Sequence, residues 1–206
     1  MATLGDLLDR VRTYYTSRLS AALRELAMEP GTSVFPEAAL RAADGTVVRE
    51  GELHLPYRVD ACVGDQRSVT RTVMVDTEGM LSFEPFAFVW PGGMQVTMRP
   101  FRWDYCSVTA EARPDSYDRL REWFADWFKE ADDSVREHGE LLEAVHFMSD
   151  PQADGTLRTL LIDLGSAPVA AFEALLDALR DSGQREITIG GVAPSQEARV
   201  RRPTSA

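Results

Sequence analysis

Apolar positions along the first thirty residues repeat at helical spacing. Leu4, Leu7, Leu8, Val11, Tyr15, Leu19, Leu23 and Leu26 fall on one face, Thr3 stands at the capping position, and Pro30-Gly31 closes the segment. From about Ala38 to Ala112 the period becomes two. In Glu52–Val63, Leu53, Leu55, Tyr57, Val59, Ala61 and Val63 alternate with His54, Arg58 and Asp60, which predicts a strand with one buried and one wetted face. The stretch from Arg67 to Asp76 repeats the pattern with Val69, Val73 and Val75. Leu81–Trp90 and Met94–Phe101 are apolar on both faces and are expected to be covered on both sides, with Pro85 and Pro100 marking edges or bulges. Asp44-Gly45, Glu78-Gly79 and Pro91-Gly92-Gly93 read as hairpin turns.

The second half alternates between the two periods. Trp103–Ala112 reads as a strand and Asp115–His138 as one long helix closed by Gly139. Leu142–Met148 and Leu157–Leu164 are strands joined through a polar turn at 150–155. A helix opened by Ser166 and Pro168 and stopped by Gly183 follows, and then a last strand at Glu186–Ile189. The order β-α-β-β-α-β is that of a ferredoxin-like split sheet. The expected fold is therefore α+β: an N-terminal helix and antiparallel β-meander over 1–101, packed with a ferredoxin-like half over 102–191. Residues 192–206 are expected to form a mobile basic tail, and the whole can equally be one compact domain.

At about 100° per residue, the long helix gathers Tyr117, Leu120, Phe124, Trp127, Phe128, Ala131 and Val135 on one face. Asp118, Glu122, Asp126, Glu130 and Asp133 descend the other. Like charges at that spacing oppose the helix by a few tenths of a kcal/mol per pair. Trp123 is expected at the margin between the faces, half exposed beside the acids.

Charge sharpens this picture. The 206-residue chain carries a net charge of −11, and residues 115–143 hold ten acids against four bases, so more than half of the excess lies in the long helix and its exit. A phosphate backbone or an anionic membrane would be repelled, which leaves basic partners, cations or plain solubility; of partners, a basic protein is the one expected. One lysine among 22 basic residues points to a GC-rich, bacterial source. The N-terminus bears Asp6, Asp9, Arg10 and Arg12 in place of an apolar leader, and the two cysteines are far apart. The expectation is a cytoplasmic protein with free thiols.

Candidate chemistry is sparse. There is no phosphate-binding glycine loop, no nucleophile elbow and no zinc-protease motif, so no cofactor and no metal site are expected. His54 reads as a solvent-face residue and His138 as a helix C-terminal cap. His146 reads as a satisfied sheet histidine, with Cys106–His146 the one thiol–imidazole pair that the topology allows. The aromatic residues are sufficient to form a core, and Trp90, Phe101 and Trp103 are the positions from which a ligand pocket would be lined. The expected function is a non-enzymatic protein-binding module, like an immunity protein, chaperone or adaptor, using Asp118, Glu122, Trp123, Asp126, Glu130 and Asp133. The alternative is a small-ligand-binding protein or enzyme with an aromatic-lined cavity, and homo-oligomerisation is compatible with either.

Overall fold

The structure is a computed structural model, and it describes residues 3–64, 69–75, 79–111, 116–130 and 140–191. Helix α1 spans Leu4–Ala27. A capping box opens it, with the Thr3 hydroxyl accepting from the Asp6 N–H and the Asp6 carboxylate accepting from the Thr3 N–H. Its buried stripe is Leu8, Val11, Tyr15, Leu19 and Leu23, as the apolar spacing requires.

Short strands follow: β1 (Ser33–Pro36), β2 (Arg49–Glu50), β3 (Leu55–Pro56), β4 (Ala61–Gly64) and β5 (Val69–Val73). They form a three-stranded antiparallel sheet in the order β1-β4-β5 and a two-stranded β2-β3 ribbon. The long strand expected over Glu52–Val63 is thus divided. His54 turns the chain at a φ of 54°, and irregular backbone separates β3 from β4. The alternation misleads here for a physical reason: Arg58 and Asp60, expected on a wetted face, are buried among polar partners.

The main sheet has seven strands: β6 (Phe86–Trp90), β7 (Met94–Met98), β8 (Cys106–Ala110), β9 (Phe147–Met148), β10 (Gln152–Asp154), β11 (Leu157–Asp163) and β12 (Glu186–Gly190). Its order is β10-β11-β8-β12-β7-β6, with β9 also on β11. Strand β12 pairs parallel with β7, and the other pairs are antiparallel. Because β7 and β8 both flank β12, strands from either side of residue 101 share this sheet. The chain is therefore mixed α and β, and the sheet is open.

Strands β6 and β7 are half-covered instead of covered on both sides. Met94, Val96 and Met98 are buried while Gln95 is exposed, and Val89 on the edge strand is 61% exposed. One face of the sheet carries α2 (Asp118–Phe128) and α3 (Val169–Asp181), which pack against each other. On the other, Thr97, Thr188, Thr109 and Thr159 stand in register across four strands, each half-buried. Phe101, Trp103 and Phe172 stack under α3 with ring centroids 5.7–6.5 Å apart, in a core continuous with the α1 stripe.

Helix α2 is shorter than the apolar pattern predicts. It ends at Phe128, where Lys129 adopts left-handed backbone at a φ of 54°. The proposed run to His138, with its Gly139 stop, lies beyond residue 130 and outside the described residues, as do the hairpin residue Glu78 and the 192–206 tail. The strand expected over Leu142–Met148 forms only at Phe147–Met148, and Glu143 lies at a φ of 56°.

Candidate functional site

The main concentration of chemistry among the described residues is an interior centre around His146. The imidazole is 0% exposed, Glu37 0%, Asp60 2% and Asp163 2%. His146 Nε2 lies 2.7 Å from Glu37 Oε1, and Nδ1 lies 3.1 Å from Asp60 Oδ1 and 3.7 Å from Asp163 Oδ2. Of these, only the Nε2–Glu37 contact has hydrogen-bond geometry; Nδ1 is close to two carboxylates without being aligned with either.

Each carboxylate is fixed by a backbone N–H on its other oxygen. Val75 N donates to Asp60 Oδ2 at 2.7 Å, Gly165 N donates to Asp163 Oδ1 at 2.8 Å, and Leu142 N donates to Glu37 Oε2. The Tyr15 hydroxyl, from the buried stripe of α1, adds a bond to Asp60 Oδ1 at 2.9 Å. Charge-assisted bonds of this kind are the strong ones, and they tie α1, the β1-β4 layer and β11 to one imidazole.

Local backbone geometry makes room for the ring. Gly165 follows β11 at a φ of 52°, and a Cβ there would lie 2.2 Å from His146 Cδ2 and 2.5 Å from the Ala144 carbonyl oxygen. Only glycine suits both the conformation and the approach. Burial by itself would drive the His146 pKa down. The Asp163 charge, the Asp60 carboxylate 3.1 Å from Nδ1 and the bond to Glu37 reverse this and raise it to about 10. Burial likewise opposes ionisation of Glu37, and the His146 bond and charge outweigh it, holding that carboxyl below its usual 4.5. In the ion-free centre both shifts favour the charged forms of His146 and Glu37.

Arg58 closes the adjoining wall at 0% exposure. Its guanidinium donates to the Glu37 carbonyl at 2.7 Å, to the Phe128 carbonyl at 3.0 and 2.8 Å, and to the Lys129 carbonyl at 3.0 Å, and it stacks 4.4 Å above the Phe128 ring. The last carbonyls of a helix lack partners within it. Arg58 supplies partners at the end of α2, where the left-handed Lys129 stops the helix.

The expected partner surface is rearranged. Asp118, Glu122 and Asp126 are exposed on the outer side of α2, and Glu130 is exposed just past its end. The row is partly relieved: Glu122 pairs with Arg119 at 2.8 Å, Asp118 with Arg121 at 3.7 Å, and Glu130 with Arg49. Trp123 is not at a wet margin. It is 4% exposed, and its indole N–H donates to the Ala171 carbonyl of α3 at 2.8 Å. Trp127 takes the half-buried position instead. Asp133 lies outside the described residues.

The expected pocket residues are also packed. Phe101 and Trp103 are 0% exposed in the aromatic stack, and the Trp90 indole N–H donates to Asp177 at 2.9 Å. A cavity of about 20 Å³ that none of the three lines, bounded by Val108, Leu120, Leu160 and Leu179 among others, has room for a water-sized molecule. Cys106 and Cys62 are buried free thiols whose pKa values burial pushes up, which disfavours the nucleophilic thiolate. His54 is exposed.

No family model matches the chain, and no curated protein or solved structure matches it at a significant level. Among the described residues, no helix is long and apolar enough to cross a membrane.

Sequence reasoning missed the His146 centre because Glu37, Asp60, His146 and Asp163 have no local spacing. The available signal was subtler: His146 interrupts the apolar run Ala144–Met148, and Asp163 interrupts Leu160–Leu164. A polar residue inside an apolar run goes where the run goes and must find partners there.

Proposed function

We propose that this protein is a non-enzymatic protein-binding module, in the manner of immunity proteins, chaperones or adaptors. Its acidic α2 surface would meet a basic partner. The observation that carries the reading is the sidedness of α2: Asp118, Glu122 and Asp126 are exposed opposite a side that buries Leu120, Trp123, Phe124 and Phe128. Exposed ion pairs such as Arg119–Glu122 are worth about 0–1 kcal/mol, so a partner's arginines can replace them at little cost. The buried imidazole and thiols add support, since a reacting substrate would have no route to groups at 0–5% exposure.

The same proposal places the chain in a reducing cytoplasm, in keeping with two unpaired thiols. It also takes the β8-α2-β9-β11-α3-β12 segment as a ferredoxin-like unit. The antiparallel neighbour order β12-β8-β11-β9 supports that assignment.

The test is capture from native lysate with wild type and a Glu122→Arg/Asp126→Arg double variant, at low and high salt. A basic protein retained at low salt, released as salt rises and lost with the variant is the expected outcome. Retention indifferent to both salt and charge reversal would contradict the role of α2.

A further inference from the structure

We propose that Asp60, His146 and Asp163 are the protein ligands of a divalent transition-metal ion of the zinc class, held inside the protein with Glu37 orienting the imidazole. One donor atom from each of the three lies within 4.8 Å of the other two, and the oxygens nearest His146 Nδ1 are Asp60 Oδ1 and Asp163 Oδ2. Zinc bonds of about 2.0–2.1 Å in a tetrahedron put neighbouring ligand atoms about 3.3–3.4 Å apart. The observed separations of 3.1 and 3.7 Å from Nδ1 bracket that edge, and the aspartates close on an ion from no more than 4.8 Å apart.

The histidine itself is the second, independent observation. Nδ1 is fully buried, has no aligned hydrogen-bond partner, and lies 3.1 and 3.7 Å from oxygens of the two aspartates. Nε2, on the far side of the ring, is held by Glu37 Oε1 at 2.7 Å. An imidazole that donates one N–H to a carboxylate presents the other nitrogen's lone pair opposite, as metal-binding histidines do. Both aspartates keep a backbone N–H on the oxygen that faces away from Nδ1, so the facing oxygens are aimed in advance. The Tyr15 hydroxyl shares Asp60 Oδ1, and a carboxylate oxygen has lone pairs for both.

Charge points the same way. Glu37, Asp60 and Asp163 bring three negative charges into an interior where the Arg58 guanidinium is engaged with backbone carbonyls. With a neutral imidazole, a dication and Arg58 together balance the three carboxylates. Two carboxylate oxygens and one imidazole suit zinc, manganese or ferrous ions better than softer metals. Three protein ligands leave a fourth position for water. Because the ligands come from β4's lead-in, β9's lead-in and the end of β11, the ion would be taken up as the chain folds.

The experiment uses the full chain with a purification tag that contains no histidine. Metal content is read by elemental mass spectrometry, first as purified and then after unfolding with chelator and refolding with Zn²⁺, Mn²⁺ or Co²⁺. The expected result is about one tightly held equivalent per chain for at least one of these ions, with four-coordinate d–d absorption when Co²⁺ is used. Asp163→Asn should lower retention to below about one-tenth of an equivalent, and Glu37→Gln should weaken affinity about 10–100-fold while leaving a site. Asp154→Asn, in exposed β10, should retain the full amount. If His146→Gln fails to fold, wild type and Asp163→Asn still decide. Wild type refolded to its native elution volume with no retained ion, or equal retention by Asp163→Asn, would overturn the proposal.

Discussion

Replacing Arg58 by methionine removes the guanidinium while keeping an apolar stem of similar reach. Two buried carbonyls, those of Glu37 and Phe128, and the part-buried carbonyl of Lys129 then lose a charged donor, and the Phe128 ring loses the cation above it. An unsatisfied buried acceptor costs about 1–3 kcal/mol. Relief of the guanidinium's own desolvation offsets part of that sum, which leaves a net loss of about 3–5 kcal/mol. Against a total stability of about 5–15 kcal/mol this is a large fraction. At about 2–4 °C per kcal/mol for a chain of this size, the midpoint should fall by roughly 6–20 °C. Urea unfolding followed by far-UV circular dichroism measures it directly, with the same denaturant slope as wild type. Arg58→Lys should recover only a fraction, because an ammonium cannot span three carbonyls as the planar fork does. A loss below about 1 kcal/mol, or full recovery with lysine, would refute the capping role of Arg58.

Three further outcomes follow from the same contacts. In chelator-treated protein, His146 has a folded pKa of about 10 against 6.5 when unfolded, so its stabilisation is complete below about pH 6.5 and is lost as pH rises towards 10. Glu37 works in the opposite direction: its contribution is present above 4.5 and disappears as pH falls through its depressed folded value. Urea midpoints should therefore be highest between about pH 5 and 6.5, and a midpoint that climbs from there to about pH 9 would contradict the ion assignments. Gly165→Ala forces a methyl group to within 2.2 Å of the His146 ring at a positive φ, and thermal unfolding should report a loss of about 2–5 kcal/mol. Trp123→Phe removes the bond to the Ala171 carbonyl and should cost about 1–3 kcal/mol by urea titration while leaving salt-dependent partner capture unchanged; loss of capture would return Trp123 to the binding surface.

What could be read from the sequence divides along physical lines. Local signals carried over: Thr3 as the cap of α1, the apolar stripe of α1, the Pro91-Gly92-Gly93 hairpin, and α3 stopped by Gly183 at a φ of 94°. These depend on neighbours a few residues apart. At about 100° per residue Trp123 lies roughly 40° outside the apolar stripe whether or not Ala131 and Val135 are counted; it is buried because the neighbouring α3 widens the covered face and accepts its indole N–H. Arg58 and Asp60 were misplaced because strict alternation says that two sides of a strand differ, and says nothing of whether the polar side meets water or buried charge. For the His146 centre, Glu37 and His146 are separated by 109 residues, and only the fold brings them together.

His146 is sealed in the interior with Nε2 bonded to Glu37 and Nδ1 facing Asp60 and Asp163, and imidazole nitrogen NMR on chelator-treated, ¹⁵N-labelled protein tests that arrangement most directly. Both ring nitrogens of His146 should keep protonated shifts from about pH 5.5 to 8.5, while free imidazole in the same tube titrates. Adding an ion during refolding should move Nδ1 and leave Nε2 with its proton on Glu37. A His146 ring that titrates near 6.5 in the ion-free protein, or whose Nε2 proton exchanges with water as fast as that of free imidazole, would contradict the account.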